Sequence, residues 1–115
     1  MPETEPSPVL ALVRDLMISS KIIATARAEG VNVKIVRDAS KLATENGERL
    51  LVDLNQDGAI TAASEWKSRT GGAVIGFVSH VDAPTIAKAR EAGFDQVLAR
   101  SGFVQSLPDL LKLKG

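Results

Sequence analysis

The chain contains no cysteine, which excludes a disulfide and a thiolate metal site and permits a reducing compartment. A single histidine leaves no partner for a second imidazole ligand and no plausible nucleophilic triad, so His80 is read as a loop residue. Tyrosine is absent, and neither GxGxxG nor GxxxxGK[ST] occurs, so nucleotide binding by those phosphate-cradling loops is disfavoured. The formal net charge is 0 and the pI is about 6.6, which removes any global attraction to nucleic acid or to an anionic membrane surface. Apolar runs are only five to six residues long, far short of a spanning helix. Met1–Pro8 is acidic and proline-rich where a secretory leader would be basic and apolar. A cytoplasmic protein without nucleic-acid or membrane partners is the expectation.

What remains is a chain of 115 residues with 44% hydrophobic content, enough for one compact core. The expected organisation is a disordered leader, 1–8, followed by one domain, 9–115, so that any partner domain is a separate protein. Val9–Val13 reads as a buried strand. Ile18, Ile22 and Ala26 then fall four residues apart on one face of a helix over Leu16–Glu29, stopped by Gly30. Val31, Val33 and Ile35 alternate with polar residues, which suits an edge strand. Ser40 is positioned to cap a short second helix ending near Asn46-Gly47.

Leu50–Leu54 is apolar on both faces and therefore central, and Asp57-Gly58 turns into a helix over Ala59–Arg69 carrying Trp66 as a packing residue. Ala73–Val78 is a further buried strand. Asp82 caps the next helix, with Pro84 in its first turn and Gly93 at its end, and Gln96–Ala99 forms the last strand. Pro108 breaks the final helical segment, with Ser106 capping a restart. Five strands alternating with helices predict an α/β three-layer sandwich with a parallel sheet and right-handed crossovers.

In such a sheet, ligands and chemistry gather at the carboxyl ends of the strands. Here those ends carry Arg14-Asp15, Asp53, Ser79-His80 and Arg100, the outline of a phosphoacceptor pocket. Each residue also has a purely structural reading. Asp15 suits the positive end of the first helix, Asp53 an ion pair with Arg100, and Ser79 a turn.

These residues, with AREAGFDQVLARS from Ala89 to Ser101, resemble the receiver domains of bacterial two-component response regulators from Val9 onward. The resemblance implies a flavodoxin-like fold with strand order 2-1-3-4-5, no enzymatic role, and phosphorelay signalling through protein contacts. It assigns Asp53 as phosphoacceptor, Ser79 and Arg100 as phosphoryl-contacting or switch positions, and Asp15, Asp53 and Asn55 as ligands for Mg²⁺. A histidine kinase, a phosphotransfer protein or a downstream effector is the implied partner, with a homodimer as a further arrangement. The face made by the Asp82-capped helix, the last strand and the final helix is the implied docking surface.

Four departures mark the chain as an atypical receiver. Arg14 replaces one acid of the metal-binding pair and is read as a counter-ion. The loop from Asp53 to Asp57-Gly58 is short, Val97 stands where the switch aromatic is expected, and Arg100 replaces a lysine. Two rival classes are weighed beside a working receiver. One is an interaction module whose receiver chemistry has lapsed; the other is a flavodoxin-like ligand-binding protein, against which Arg14-Asp15-Leu16-Met17 offers no phosphate-cradling loop.

Overall fold

The computed structural model describes residues 8–78 and 82–112. The parallel sheet has the order β2-β1-β3-β4-β5, with β1 at Val9–Leu12, β2 at Val33–Val36, β3 at Arg49–Asp53, β4 at Ala73–Val78 and β5 at Gln96–Ala99. Helices α1 (Leu16–Glu29), α2 (Ala59–Thr70), α3 (Ala83–Glu91) and α4 (Arg100–Lys112) complete the sandwich, with a short 3-10 turn at Ala39–Thr44 between β2 and β3. The order places β1, β3 and β4 in the middle, where both faces are covered; β1 and β4 are apolar throughout, and β3 is apolar between Arg49 and Asp53. β2, at one edge, has its lysine exposed, as the alternation in its sequence predicts.

Alternation along the strands sorts the core into two layers. Val9, Ala11, Leu51, Ile75 and Phe77 face Ile18, Ile22 and Ala26 of α1 and Phe103, Leu107, Leu110 and Leu111 of α4. Leu10, Leu12, Leu50, Val52 and Val74 face Leu42 of the 3-10 turn, Ala63 and Trp66 of α2, and Ala89 of α3. Thus α1 and α4 share one face of the sheet, an arrangement that brings the start of α4 beside the start of α1.

Several boundaries differ from those expected from the sequence, each for a physical reason. The second helix is a six-residue 3-10 turn capped by Asp38, whose Oδ1 accepts from Ser40 N at 3.0 Å and from Ser40 Oγ at 2.9 Å. Ser40 is therefore the donor to the cap, and Leu42 is the segment's one buried anchor, too little apolar surface to hold a longer helix. The final helix is continuous through Pro108, with Phe103, Leu107, Leu110 and Leu111 buried along one side. That apolar stripe holds the helix across the hydrogen bond that proline cannot make.

The third strand begins one residue earlier than expected, at Arg49, which is only 3% exposed. Its guanidinium donates from Nη1 to the carbonyl of Leu110 at 2.7 Å, near the C-terminal end of α4, where a cation is favoured. Leu54, expected as a strand residue, lies beyond β3 and is buried, its amide donating to Phe77 O at 2.9 Å. Val13 likewise lies beyond β1 but stays buried, its amide donating to Val36 O at 3.1 Å. Residues 1–7 of the expected leader lie outside the described residues; Pro8 is described, and its carbonyl accepts from Glu48 N at 3.0 Å.

Candidate functional site

The carboxyl ends of β1, β3 and β5 open on one edge of the sheet, because a parallel register carries every strand end to the same side. Leu12 pairs with Val52, Asp53 with Phe77 and Val78 with Ala99, so Asp15, Asp53 and Arg100 each follow or close a strand on that edge. Ser79 and His80 lie outside the described residues.

Asp53 is 8% exposed, one of the few buried charged side chains. Its Oδ1 accepts from the amide of Asn55 at 3.0 Å, which folds the short loop back on the strand end. Asn55 itself is exposed. Gln56, which sequence reasoning did not single out, donates from Nε2 to Leu12 O at 2.9 Å and to Asp53 O at 3.2 Å. It ties the end of β1 to the end of β3. Its signal in the sequence is the shortened loop, which leaves a long amide side chain close to both strand ends.

Asp15 opens α1. Its Oδ1 accepts from Met17 N at 2.8 Å and Ile18 N at 3.2 Å, satisfying amides that have no partner inside the helix. Its Oδ2 lies 3.2 Å from Nη1 of Arg100, both side chains being about one-third exposed. The helix-opening role of Asp15 is thus realised, and the arginine weighed as a partner for Asp53 is found on Asp15. Arg100 is the first residue of α4, where the positive end of the helix dipole disfavours a cation, and Asp15 compensates it.

Arg14, expected as a counter-ion, is exposed and lines an open groove with Arg37, Asp38, Asn55, Gln56 and Asp57. Arg37 donates to the Arg14 carbonyl at 3.5 Å. Arg14 also contributes, as the smallest of several influences, to holding the Asp38 carboxyl below its ordinary value, after the Ser40 hydrogen bonds.

The donor set fits a divalent cation poorly. Mg²⁺ demands near-octahedral oxygen ligation, built around one or two carboxylates with their lone pairs free to turn toward it. Asp15 commits one oxygen to the α1 amides and the other to a guanidinium, Arg14 supplies a cation where a second acid is expected, and no group of three His, Cys, Asp or Glu forms a metal cluster among the described residues.

Several carboxylates contribute to the pH dependence of stability. The Ile18 amide holds the Asp15 carboxyl below its ordinary value; desolvation, the next largest influence, opposes it, and Met17 and Arg100 add to the lowering. Asp38 and Asp82 are lowered chiefly by hydrogen bonds from Ser40 and Thr85. At Asp95 burial pushes upward, but Lys67 and the Val74 amide together outweigh it and lower the group. A carboxyl whose folded pKa lies below its unfolded value contributes stability that is fully present above the unfolded value and lost as pH falls through the folded one. Urea midpoints are therefore expected to hold steady near neutrality and fall below about pH 4. Asp15→Asn should flatten that acid limb, and an unchanged limb would remove Asp15 from the account.

No protein-family model matches the chain, and no curated protein matches its sequence. Solved structures do match its fold. A CheY-like response regulator receiver domain from Methanospirillum hungatei JF-1 superposes with a TM-score of 0.80 at 17% identity, over 94% of this chain and 92% of that one. The BeF3-activated DrrB receiver domain, of a Thermotoga maritima OmpR/PhoB homologue, gives 0.79 at 16% identity, over 94% and 96%. The Mn²⁺-bound form of response regulator Rcp1 gives 0.78 at 12% identity, over 96% and 98%. The chain has the CheY-like, flavodoxin-like receiver fold, with the 2-1-3-4-5 sheet expected of it. No described helix is long and apolar enough to cross a membrane.

Proposed function

We propose that the protein is an atypical receiver-type module in two-component signalling, non-enzymatic and acting through protein contacts, with Asp53 at the phosphoacceptor position. The observation that carries this reading is a buried carboxylate, 8% exposed, at the carboxyl end of the central strand of a receiver fold. Ordinary structural carboxylates are seldom so enclosed. A histidine kinase, a phosphotransfer protein or a downstream effector in a bacterial cytoplasm is the partner this reading calls for.

The face made by α3, β5 and α4 is the proposed docking surface, because β5 is an edge strand with Gln96 and Ala99 exposed. The same edge is available to a second copy of the chain. At the site rim, Leu16 and Met17 are exposed by 65% and 66%, an apolar foothold of the kind protein partners use.

Coupling between Asp53 and that face is weak in this proposal. A phosphoryl group shifts a two-state equilibrium only by the difference in its interactions with the two states. Val97 has no ring to rotate, and Arg100 is already engaged by Asp15. Once a partner is isolated, its Kd is to be measured with the native protein, with Asp53→Asn and with protein treated with acetyl phosphate. The expected spread is under about tenfold, or about 1.4 kcal/mol. A larger change confined to protein phosphorylated on Asp53 would establish a working switch and defeat the weak-coupling reading.

A further inference from the structure

We infer that the Arg100 guanidinium is a resident counter-ion that takes the place of a divalent cation, so the strand-end site of this chain is charge-compensated without metal. The inference rests on the receiver-type reading and specifies how that site is regulated.

The geometry makes the two occupants competitors. A cation approaching Asp15 from the pocket side must displace Arg100 Nη1 from Oδ2, 3.2 Å away. Turning Oδ1 toward the cation instead would strip the cap from Met17 N and Ile18 N, leaving α1 with unsatisfied amides. The neighbouring residue, Arg14, adds positive charge at the end of β1 where a second carboxylate would have helped to recruit the ion. Asp53 has its Oδ1 on the Asn55 amide.

Arg100 also has reason to stay. At the first position of α4 its charge faces the positive end of the dipole, and Asp15 is the carboxylate that offsets it. A guanidinium offers planar donors that match a carboxylate. Being part of the chain, it stays tethered beside Asp15, although salt weakens a pair that is about one-third exposed. The bridge joins the cap of α1 to the first turn of α4, the two helices that pack on the same face of the sheet. A bound ion could be lost or exchanged, whereas the arginine is covalently part of the strand-end edge.

The test is a Mg²⁺ titration of the ¹⁵N-labelled full chain, followed at the amides of Asp15, Leu16, Asp53 and Leu54, with Mn²⁺ as a paramagnetic probe of the same site. The native protein is expected to show no saturable response at millimolar Mg²⁺ and no change in Tm when a chelator is added. Arg100→Gln, which keeps a polar side chain but removes the charge, should gain Mg²⁺ affinity by roughly two- to fivefold. Saturable millimolar binding by the native protein that disappears in Asp15→Asn overturns the inference, as does a folded Arg100→Gln protein with no gain. If Arg100→Gln fails to fold, the native titration decides: no saturable response at these amides supports the inference, and a saturable one overturns it. Tight native Mg²⁺ binding would leave the receiver reading intact, whereas failure of that reading is detected separately, in the partner titration.

Discussion

Phe103→Ala is expected to destabilise the protein by about 3–5 kcal/mol, because it deletes a fully buried aromatic ring and leaves a cavity that the neighbouring elements cannot fill. Phe103 stacks on Phe77 with ring centroids 4.2 Å apart and an interplanar angle of 21°, joining the first turn of α4 to β4. Phe77 is the register partner of Asp53, and Phe103 follows Arg100 by three positions, so the two side chains of α4 lie on neighbouring helical rows. The same ring that seals the core therefore sets where Arg100 stands. Thermal unfolding by circular dichroism should show Tm lowered by roughly 10–20 °C. Phe103→Leu, which retains most of the apolar volume, should recover more than half of the loss. A loss below about 1 kcal/mol in the alanine variant would mean that α4 is not anchored through this ring.

Trp66→Ala is expected to cost a similar amount, about 3–5 kcal/mol, on the opposite face of the sheet. Trp66 is 1% exposed, and its indole Nε1 donates to Glu45 O at 3.2 Å, which fastens the chain just after the 3-10 turn to α2. Gly72 lies against the same ring, so closely that a Cβ there would come within 2.5 Å of Trp66 Cη2. Because the ring is gripped from two directions, truncation should also loosen the turn. Hydrogen exchange is expected to accelerate across Ala39–Glu45 beyond the change in global stability, and urea unfolding should show a lower midpoint with an unchanged slope. Trp66→Phe keeps much of the packing but loses the donor, and should cost about 1–3 kcal/mol. If exchange in the turn tracks global stability alone, the turn is held by buried Leu42 and by Arg69, whose Nη2 donates to Leu42 O at 3.2 Å and Glu45 O at 2.6 Å, rather than by the indole.

The fold was legible in the sequence because its signals are local. Apolar runs at Val9–Val13 and Ala73–Val78 announce buried strands, and the alternation of Val33 and Ile35 with Lys34 announces an edge. Gly30 takes φ 71° and closes α1, receiving its place from a conformation that other residues adopt at a cost. These features depend on near neighbours along the chain, so composition and spacing suffice to read them.

Contacts between distant residues were not legible. Arg49 falls just outside the strand read at Leu50–Leu54, and it joins β3 where α4 brings the Leu110 carbonyl, 61 positions away, within 2.7 Å. Pro108 reads as a break until the stripe of Phe103, Leu107, Leu110 and Leu111 is seen buried against the sheet, where packing outweighs one missing hydrogen bond. At the candidate site, the residue types at the strand ends came from the sequence, including Asp15, Asp53 and Arg100. Which carboxylate receives the arginine was decided only by tertiary structure. Pairing depends on where α4 starts relative to the cap of α1, and that offset is set by the packing of two helices on one face of the sheet, not by any spacing along the chain.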